Sequence, residues 1–192
     1  MLINTIQKNR SYRSFHKSRA VTEEELRSLV ECARFSASGN NRQMLRFLLC
    51  ADGEKMAKVL PHLKWAAALP DWHLPPEGHE PPAAIVLCHD KTAAEDPRVS
   101  ARDVGIAAQT MLLAAVEMGL GGCMIANFVA DNLAASLALP SHLTPVLVVA
   151  LGEPDETVVL EDLPADGRTA YYRDENGVHH VPKRTLDELI IG

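Results

Sequence analysis

The 192-residue sequence lacks several patterns by which protein classes are usually recognised. Its four cysteines lie far apart and none belongs to a C-x-x-C pair, which argues against a zinc site or a disulfide framework. No apolar run approaches the ~18 residues needed to cross a bilayer, and the polar N-terminus has no signal-peptide core. A cytoplasmic location with reduced thiols is therefore expected, without membrane attachment.

An excess of positive charge is also lacking. The chain has 19 Lys and Arg against 25 Asp and Glu, giving a formal net charge of −6. Nucleic-acid binding requires clustered cations that neutralise phosphates along a groove, so no nucleic-acid partner is expected. The basic residues instead form two small groups, one near each end of the chain.

Several common catalytic and nucleotide-binding motifs are missing as well. Residues 119–122 contain three glycines, but they follow a helix pattern and precede a strand, the reverse of a dinucleotide fingerprint. No phosphate loop ending in Lys-Ser or Lys-Thr and no G-x-S-x-G elbow is present. His179 and His180 are neighbours on a predicted strand and point to opposite faces, so no metal site is expected.

What is present indicates a single globular domain with a substantial core. Hydrophobic residues make up 47% and charged residues 23% of the chain, which is ordinary for a globular protein. Apolar periodicity and turn residues predict helices at residues 2–9, 23–35, 56–60, 62–69, 99–118, 130–139 and 186–190. Strands are predicted at residues 47–50, 83–88, 123–125 and 145–152, with a hairpin turn at Asn176-Gly177.

One loop, residues 36–43, has two interpretations. It crowds serine, glycine, asparagine and glutamine between a helix and a buried strand, and so offers donors and acceptors to a flat, heteroatom-rich ligand. Alternatively it is a helix C-cap, with Gly39 or Asn40 in the left-handed conformation.

A second segment, residues 65–82, is rich in proline and carries Trp65 and Trp72. Long irregular loops in compact domains are often functional. One interpretation is a lid over a ligand, and the other is a surface excursion whose tryptophans pack into the core.

Guanidinium groups are clustered near the N-terminus at Arg10 and Arg13, and cations recur near the C-terminus at Lys183 and Arg184. Arginine forks match phosphate oxygens bidentately, so convergence of the two groups would form a phosphate site. The alternative is a pair of solvated basic segments.

Five motifs in order make the chain resemble the nitroreductase family of flavin mononucleotide (FMN) oxidoreductases. These segments are N-R-S-Y-R-S-F at 9–15, S-A-S-G-N-N-R-Q at 36–43, G-I-A-A-Q at 105–109, G-L-G-G-C-M-I at 119–125 and V-P-K-R-T-L-D-E-L at 181–189. The chain departs from the family pattern at the loop prolines, which are Ala37 and Met44 here, and at the following aromatic, which is Leu45.

The resemblance implies an α+β sandwich with a mainly antiparallel central sheet flanked by helices, forming one domain over residues 1–192. It also implies a homodimer with FMN at the interface. A C-terminal extension, about 153–192, is expected to wrap the partner subunit, because its strand-like and basic segments have no obvious partner in a compact single subunit. The cofactor-binding residues implied are Arg10, Ser11, Tyr12, Arg13, Ser38, Gly39, Asn41, Gln43, Met124, Ile125, Ala126, Lys183 and Arg184.

The activity implied is that of an enzyme: reduced nicotinamide (NADH or NADPH) passes hydride to FMN, and a nitroaromatic, quinone or related acceptor is then reduced in a ping-pong cycle. Because the cofactor performs the chemistry, no catalytic acid or base is assigned. Two alternatives are a flavin-binding sensor or specialised dehydrogenase or dehalogenase of the same fold, and a structural dimer with no cofactor. Ala126 stands where some members carry Glu or Gly, which leaves the donor and acceptor open.

Overall fold

A computed structural model describes residues 1–192 of the chain. The helices are α1 (Leu2–Lys8), α2 (Glu23–Arg34), α3 (Gly53–Val59), α4 (Ala101–Glu117), α5 (Ala130–Ser136) and α6 (Leu186–Leu189). The strands are β1 (Leu45–Cys50), β2 (Ala83–Asp90), β3 (Gly121–Ile125), β4 (Leu143–Gly152), β5 (Val158–Asp162), β6 (Tyr172–Arg173) and β7 (His179–Lys183). Short 3₁₀ turns occupy Gly39–Asn41, Leu60–His62 and Pro97–Ser100.

The first four strands form one antiparallel sheet in the order β1-β2-β4-β3. All eight residues of β2 are buried, because the sheet is covered on both faces. Alternate side chains of β2 enter different cores: Ile85 and Leu87 pack with α2 and α4 in the first core, whereas Val86 and Cys88 pack with α3 and α5 in the second core. The sheet is therefore the middle layer of an α+β sandwich, as the sequence predicted.

Local sequence signals fix the helix starts. Thr22 caps α2, since its hydroxyl accepts from the Glu25 backbone N–H at 3.2 Å while the Glu25 carboxylate accepts from the Thr22 N–H at 2.8 Å. Asp52 accepts from the Lys55 N–H at 2.7 Å and starts α3. The predicted cap at Thr185 is also present and begins a short final helix.

Helix α4 is the most apolar helix and lies against the first core. Together with the preceding turn, Pro97–Glu117 is long and apolar enough to cross a membrane by length and composition alone. However, Val104, Ala108 and Met111 are buried among the residues of the core cluster. The same composition is therefore explained by the packing of a central helix.

Pro145 lies inside β4, because the strand begins two residues earlier, at Leu143. It pairs with Cys88 where the β2–β4 register shifts between Leu87 and Cys88. Proline cannot donate to a sheet ladder, and a bulge is one of the few strand positions that tolerates it.

Close backbone approach explains one glycine of β3. A Cβ added at Gly122 would lie 2.2 Å from the Ala150 carbonyl oxygen and 2.8 Å from a Leu112 methyl carbon. Gly122 also bridges to Ser11, and its carbonyl accepts from the Tyr12 N–H at 3.0 Å. The glycine-rich segment thus holds the N-terminal chain against the sheet.

Residues 153–192 form a second sheet, in the order β5-β7-β6. The predicted Asn176-Gly177 turn joins the antiparallel strands β6 and β7, with Gly177 at φ 77°. The sheet is joined to the N-terminal segment of the same chain, since the Asp155 N–H donates to the Ser14 carbonyl at 2.9 Å.

Two local predictions are wrong. The predicted helix at 62–69 is absent beyond the 3₁₀ turn that ends at His62: the Lys64 N–H instead donates to the Asn127 carbonyl at 3.0 Å, and Trp65 packs against the second core. The C-cap interpretation also fails, because α2 ends at Arg34 and its cap residue, Phe35, is right-handed. Asn40 is left-handed, at φ 51°, but lies within the separate 3₁₀ turn.

Candidate functional site

The two ends of the chain meet at a cavity of about 310 Å³, here called the basic cavity. Its charged lining residues are Arg10, Arg13 and Lys183, and no carboxylate lines it. Its remaining lining residues are Asn9, Ser11, Gln109, Leu112, Met124, Tyr171, His179 and Val181. A cavity with three cations and no anion is suited to a negatively charged ligand.

Arg10 follows α1, and its side chain turns back along that helix. Its Nη2 donates to the Ile6 carbonyl at 2.8 Å, while its Nε is buried and has no hydrogen-bond partner. Burial lowers the pKa of the Arg10 guanidinium, although the nearby Tyr12 hydroxyl acts in the opposite direction. A buried donor without a partner is rare in a finished core and is expected at a site completed by a ligand.

Arg13 is only 8% exposed, and the direct contacts of its guanidinium are with neutral groups. Its Nη1 donates to the Ser11 carbonyl at 3.1 Å and lies 3.3 Å from His179 Nε2. Its Cζ lies 5.1 Å from the centroid of the Tyr171 ring, a cation–π contact. The positive charge of Arg13 is therefore held in place without being neutralised.

Glu156 fixes the backbone beneath this arginine. Its Oε1 accepts from the backbone N–H groups of Arg13 and Ser14, the latter at 3.2 Å. Its Oε2 pairs with Arg173, and the two side chains are only 4% and 5% exposed. Arg173 in turn lies over the Trp72 ring, 5.4 Å from its centroid. This buried ion pair joins the second sheet to the N-terminal segment.

His179 is 2% exposed and is kept neutral at physiological pH. Burial, reinforced by the charges of Arg13 and Arg173, lowers the pKa of the imidazole to about 4. Its neighbour His180 faces the other way and contacts Glu161 at 2.9 Å, which raises the pKa of His180. The two histidines thus point to opposite faces of β7, as the sequence predicted.

A second cavity of about 400 Å³, the loop cavity, contains Ser38, Asn41 and Gln43 in its lining. Asp103, 6% exposed, also lines it, and its Oδ1 accepts from the Gly39 N–H at 3.0 Å. Asn41 and Gln43 both have positive φ, at 55° and 50°, a conformation that asparagine tolerates better than most residues.

Helix α4 contributes to both cavities. Residues 103 and 107 line the loop cavity, whereas residues 109 and 112, further along the helix, line the basic cavity. The two cavities are consequently separate sites on one chain that share a rigid wall.

The structure brings together only some of the predicted site residues. In the basic cavity they are Arg10, Ser11, Arg13, Met124 and Lys183, and in the loop cavity Ser38, Asn41 and Gln43. The remaining predicted residues line neither cavity; they are Tyr12, Gly39, Ile125, Ala126 and Arg184.

Contacts within the chain explain the positions of three of these residues, Tyr12, Ile125 and Arg184. The Tyr12 hydroxyl donates to the Lys8 carbonyl at 2.9 Å, and Ile125 is buried in the second core. Arg184 points along α6 to Glu188, with Nη1 and Oε1 3.4 Å apart. The predicted convergence of the two basic segments therefore involves Lys183 but not Arg184 within one chain.

No sequence motif marks Tyr171, His179 or Glu156 as residues of the site. His179 was considered only as a metal ligand, and Glu156 lies in a segment with no motif of its own. The available signal was the hairpin at Asn176-Gly177, which places the residues of β6 and β7 side by side.

Residues 65–82 contribute nothing to the lining of the basic cavity. Trp72 is 38% exposed and lies over Arg173, whereas Trp65 packs against the second core. Within one chain this segment contacts the second sheet through Trp72 and Arg173, and these contacts do not test the lid interpretation.

A two-faced antiparallel sheet with a cationic cavity at the meeting point of both chain ends defines a protein suited to a small anionic ligand. The profile described as the nitroreductase family matches residues 6–153, about three-quarters of the sequence. The chain belongs to the nitroreductase family.

Individual relatives agree with this assignment. The chain is 28% identical over 172 residues to FMN reductase (NADPH) of Bacillus subtilis, covering 79% of this chain and 65% of the relative. It is 28% identical over 162 residues to NADPH-flavin oxidoreductase of Vibrio harveyi, covering 80% and 67%. A Desulfovibrio desulfuricans protein solved in complex with FMN superposes with a TM-score of 0.72 at 24% identity, covering 100% and 95%.

Proposed function

We propose that this member of the nitroreductase family, an FMN-dependent NAD(P)H oxidoreductase, reduces nitroaromatic, quinone or related small-molecule acceptors by a ping-pong mechanism. The enzyme class and cofactor are supported by the family and by the relatives named FMN reductase (NADPH) and NADPH-flavin oxidoreductase. FMN, when bound, would supply the redox chemistry that connects the nicotinamide and the acceptor.

One observation carries the proposal: the basic cavity contains three cations and no carboxylate. FMN carries about two negative charges on its phosphate, and charge-assisted contacts to such a group are the strongest hydrogen bonds available to a protein. The unpartnered Nε of Arg10 adds a donor that no group in the chain satisfies. The residues present therefore fit the cofactor.

The side chains of the cavity divide into two roles. Arg10, Arg13 and Lys183 bind the phosphate and the pyrimidine edge of the flavin. A cation at the pyrimidine edge stabilises the negative charge that develops there on reduction. Gln109 and Met124 line the cavity and orient the ring system.

We further propose a homodimer in which each FMN is bound by the basic cavity of one subunit and the loop cavity of the other. The support is that Ser38, Asn41 and Gln43 lie in a separate cavity from the cations. Apolar side chains also remain exposed on both terminal helices, including Leu2, Leu186 and Leu189 at 67%, 70% and 64%. Monomers rarely expose such surface, and a wrapping C-terminal extension would bury it.

A cytoplasmic location is proposed because all four cysteines are free thiols.

The first experiment measures FMN binding by calorimetry in the wild type and in Arg10→Ala. Loss of a charge-assisted contact is expected to weaken binding roughly 10- to 150-fold, since such contacts are worth about 1.5–3 kcal/mol. Arg98→Ala is the matched control, because Arg98 is 89% exposed and pairs only with Asp96. Equal FMN affinity in all three proteins would overturn the cofactor site.

The second experiment tests the reaction itself. Initial rates with NADH and NADPH against nitroaromatic and quinone acceptors should give parallel double-reciprocal lines, the signature of a ping-pong cycle. Tight FMN binding without turnover of any acceptor would favour a sensor and refute the enzymatic proposal.

A complementation experiment tests the shared site. Asn41→Asp and Lys183→Glu are each expected to abolish FMN binding when present in every subunit. Co-expression of the two variants produces heterodimers with one site carrying both lesions and one carrying neither, so FMN content should partly return. If each site lies within one chain, every site keeps one lesion and the FMN content stays at the level of the single variants.

A further inference from the structure

We infer that His179 is a positioning residue for Arg13: a neutral hydrogen-bond acceptor that holds the guanidinium in the basic cavity while leaving its charge to the ligand. The inference rests on the proposed function and adds a residue to its site. His179 lies on β7, in the part of the chain beyond the region matched by the family profile.

The first step is the direction of the hydrogen bond. Arg13 Nη1 lies 3.3 Å from His179 Nε2, and a guanidinium N–H only donates. His179 Nε2 must therefore accept, which requires a neutral ring with its single proton on Nδ1. In an imidazolium both nitrogens are protonated, so its Nε2–H would point at the Nη1–H of Arg13 and no hydrogen bond could form.

The second step is the electrostatic environment of the ring. The charged and aromatic groups around His179 come from the N-terminal segment and from the second sheet, and they are Arg13, Arg173, Tyr171 and His180. The two guanidiniums oppose protonation, and the pKa of His179 is lowered accordingly. No carboxylate is among the charged groups that act on the ring, and Glu156, which lies against the Arg13 backbone, is engaged by Arg173 and by two backbone N–H groups.

The third step is the state of Arg13. A buried arginine is normally paired with a carboxylate, because an unpaired buried charge is costly. Arg13 is held instead by a carbonyl, an imidazole and an aromatic face. Its charge is therefore uncompensated by the chain and is available to an anion that enters the cavity.

A fourth observation also points to a ligand. His179 Nδ1, the atom that carries the proton, is buried and has no hydrogen-bond partner. An unmet donor in a cavity-lining side chain is expected where the set of contacts is completed on binding.

The test replaces His179 by residues that differ in charge and hydrogen bonding. His179→Gln keeps a neutral acceptor and should retain FMN affinity within about threefold. His179→Glu keeps an acceptor but adds a counter-ion for Arg13, and should weaken FMN binding at least tenfold, measured by calorimetry on apo-protein. Riboflavin, which lacks the phosphate, is titrated in parallel. If the Glu variant binds only FMN more weakly, the charge of Arg13 acts on the phosphate; if it binds both ligands more weakly, the charge acts on the flavin ring.

A purely structural role for His179 predicts a different ranking of the variants. FMN affinity would then follow the thermal stability of the apo-proteins, independently of the charge at position 179. Equal FMN affinity in wild type and His179→Glu, or equal losses in the Gln and Glu variants, would overturn the inference. If the wild type itself binds no FMN, the proposed function fails instead.

A second measurement remains decisive even if the variants fold poorly. In ¹⁵N-labelled wild-type protein, the signals of His179 are assigned by their absence in His179→Gln. They should report the neutral tautomer protonated at Nδ1 at pH 7, unchanged at pH 5.5. An imidazolium, or the tautomer protonated at Nε2, would refute the proposed acceptor role.

Discussion

Replacing Glu156 by glutamine removes one charge and keeps the shape of the side chain. Arg173, 5% exposed, would then be a buried cation without its counter-ion. The backbone N–H groups of Arg13 and Ser14 would donate to a neutral amide oxygen instead of a carboxylate. Breaking a buried ion pair in this way costs about 3–5 kcal/mol. For a chain of this size, with a urea m value of about 3 kcal/mol/M, the unfolding midpoint should fall by roughly 1–1.7 M.

The assay is urea denaturation of apo-protein at fixed protomer concentration, because association contributes to apparent stability. Glu54→Gln is the control: its carboxylate contacts Lys58 at 2.8 Å on an exposed helix surface, where pairs contribute below about 0.5 kcal/mol. The double variant Glu156→Gln with Arg173→Met should recover part of the loss, since no unpaired charge remains and the amide oxygen still accepts from the two backbone N–H groups. If Glu156→Gln costs no more than Glu54→Gln, the ion pair does not anchor the second sheet.

Two further predictions concern packing and pH. Gly122→Ala should destabilise the protein by about 1–3 kcal/mol through overpacking against the Ala150 carbonyl, whereas Gly53→Ala, with no atom within 4 Å of the new Cβ, should be neutral or slightly stabilising; equal midpoints in urea would contradict this. The pKa of His179 falls from 6.5 to about 4 on folding. Between these pH values the unfolded chain takes up a proton that the folded chain does not. The contribution of neutral His179 to the free energy of unfolding is therefore present above pH 6.5 and is lost as the pH falls. Between pH 7 and pH 5 the wild type should lose about 2 kcal/mol more stability than His179→Gln, and parallel losses in the two proteins would refute the assignment.

Local chemistry made much of the fold predictable from the sequence. The capping box at Thr22, the apolar run that became β2 and the turn at Asn176-Gly177 each specify their element through neighbouring residues alone. The predicted helix at 62–69 failed because its apolar spacing reflects contacts with distant parts of the chain, such as the bond from Lys64 to Asn127.

The candidate site was predictable only where short motifs carried it. Arg10, Arg13 and Lys183 were predicted because clustered cations are conspicuous in an acidic chain, and the structure brings them to one cavity. Glu156 and His179 were not, because their roles depend on β5 and β7 lying beside the N-terminal segment, a contact between residues more than 140 positions apart. Arg184 was predicted with them, but within one chain its side chain points to Glu188, a direction that its position next to Lys183 does not reveal.

The strand order of the central sheet has a consequence for how the chain folds. No two neighbouring strands in the order β1-β2-β4-β3 are joined by a tight turn. One edge of β2 can pair only after β4 has been made, because Ala83 at the start of β2 pairs with Leu151 near the end of β4. Such long loop closures slow folding. During synthesis β2 emerges with both faces apolar, and it stays unpaired on one side until Gly152 has left the ribosome. Nascent chains in this interval expose an aggregation-prone strand, so chaperone dependence should fall sharply once β4 is complete.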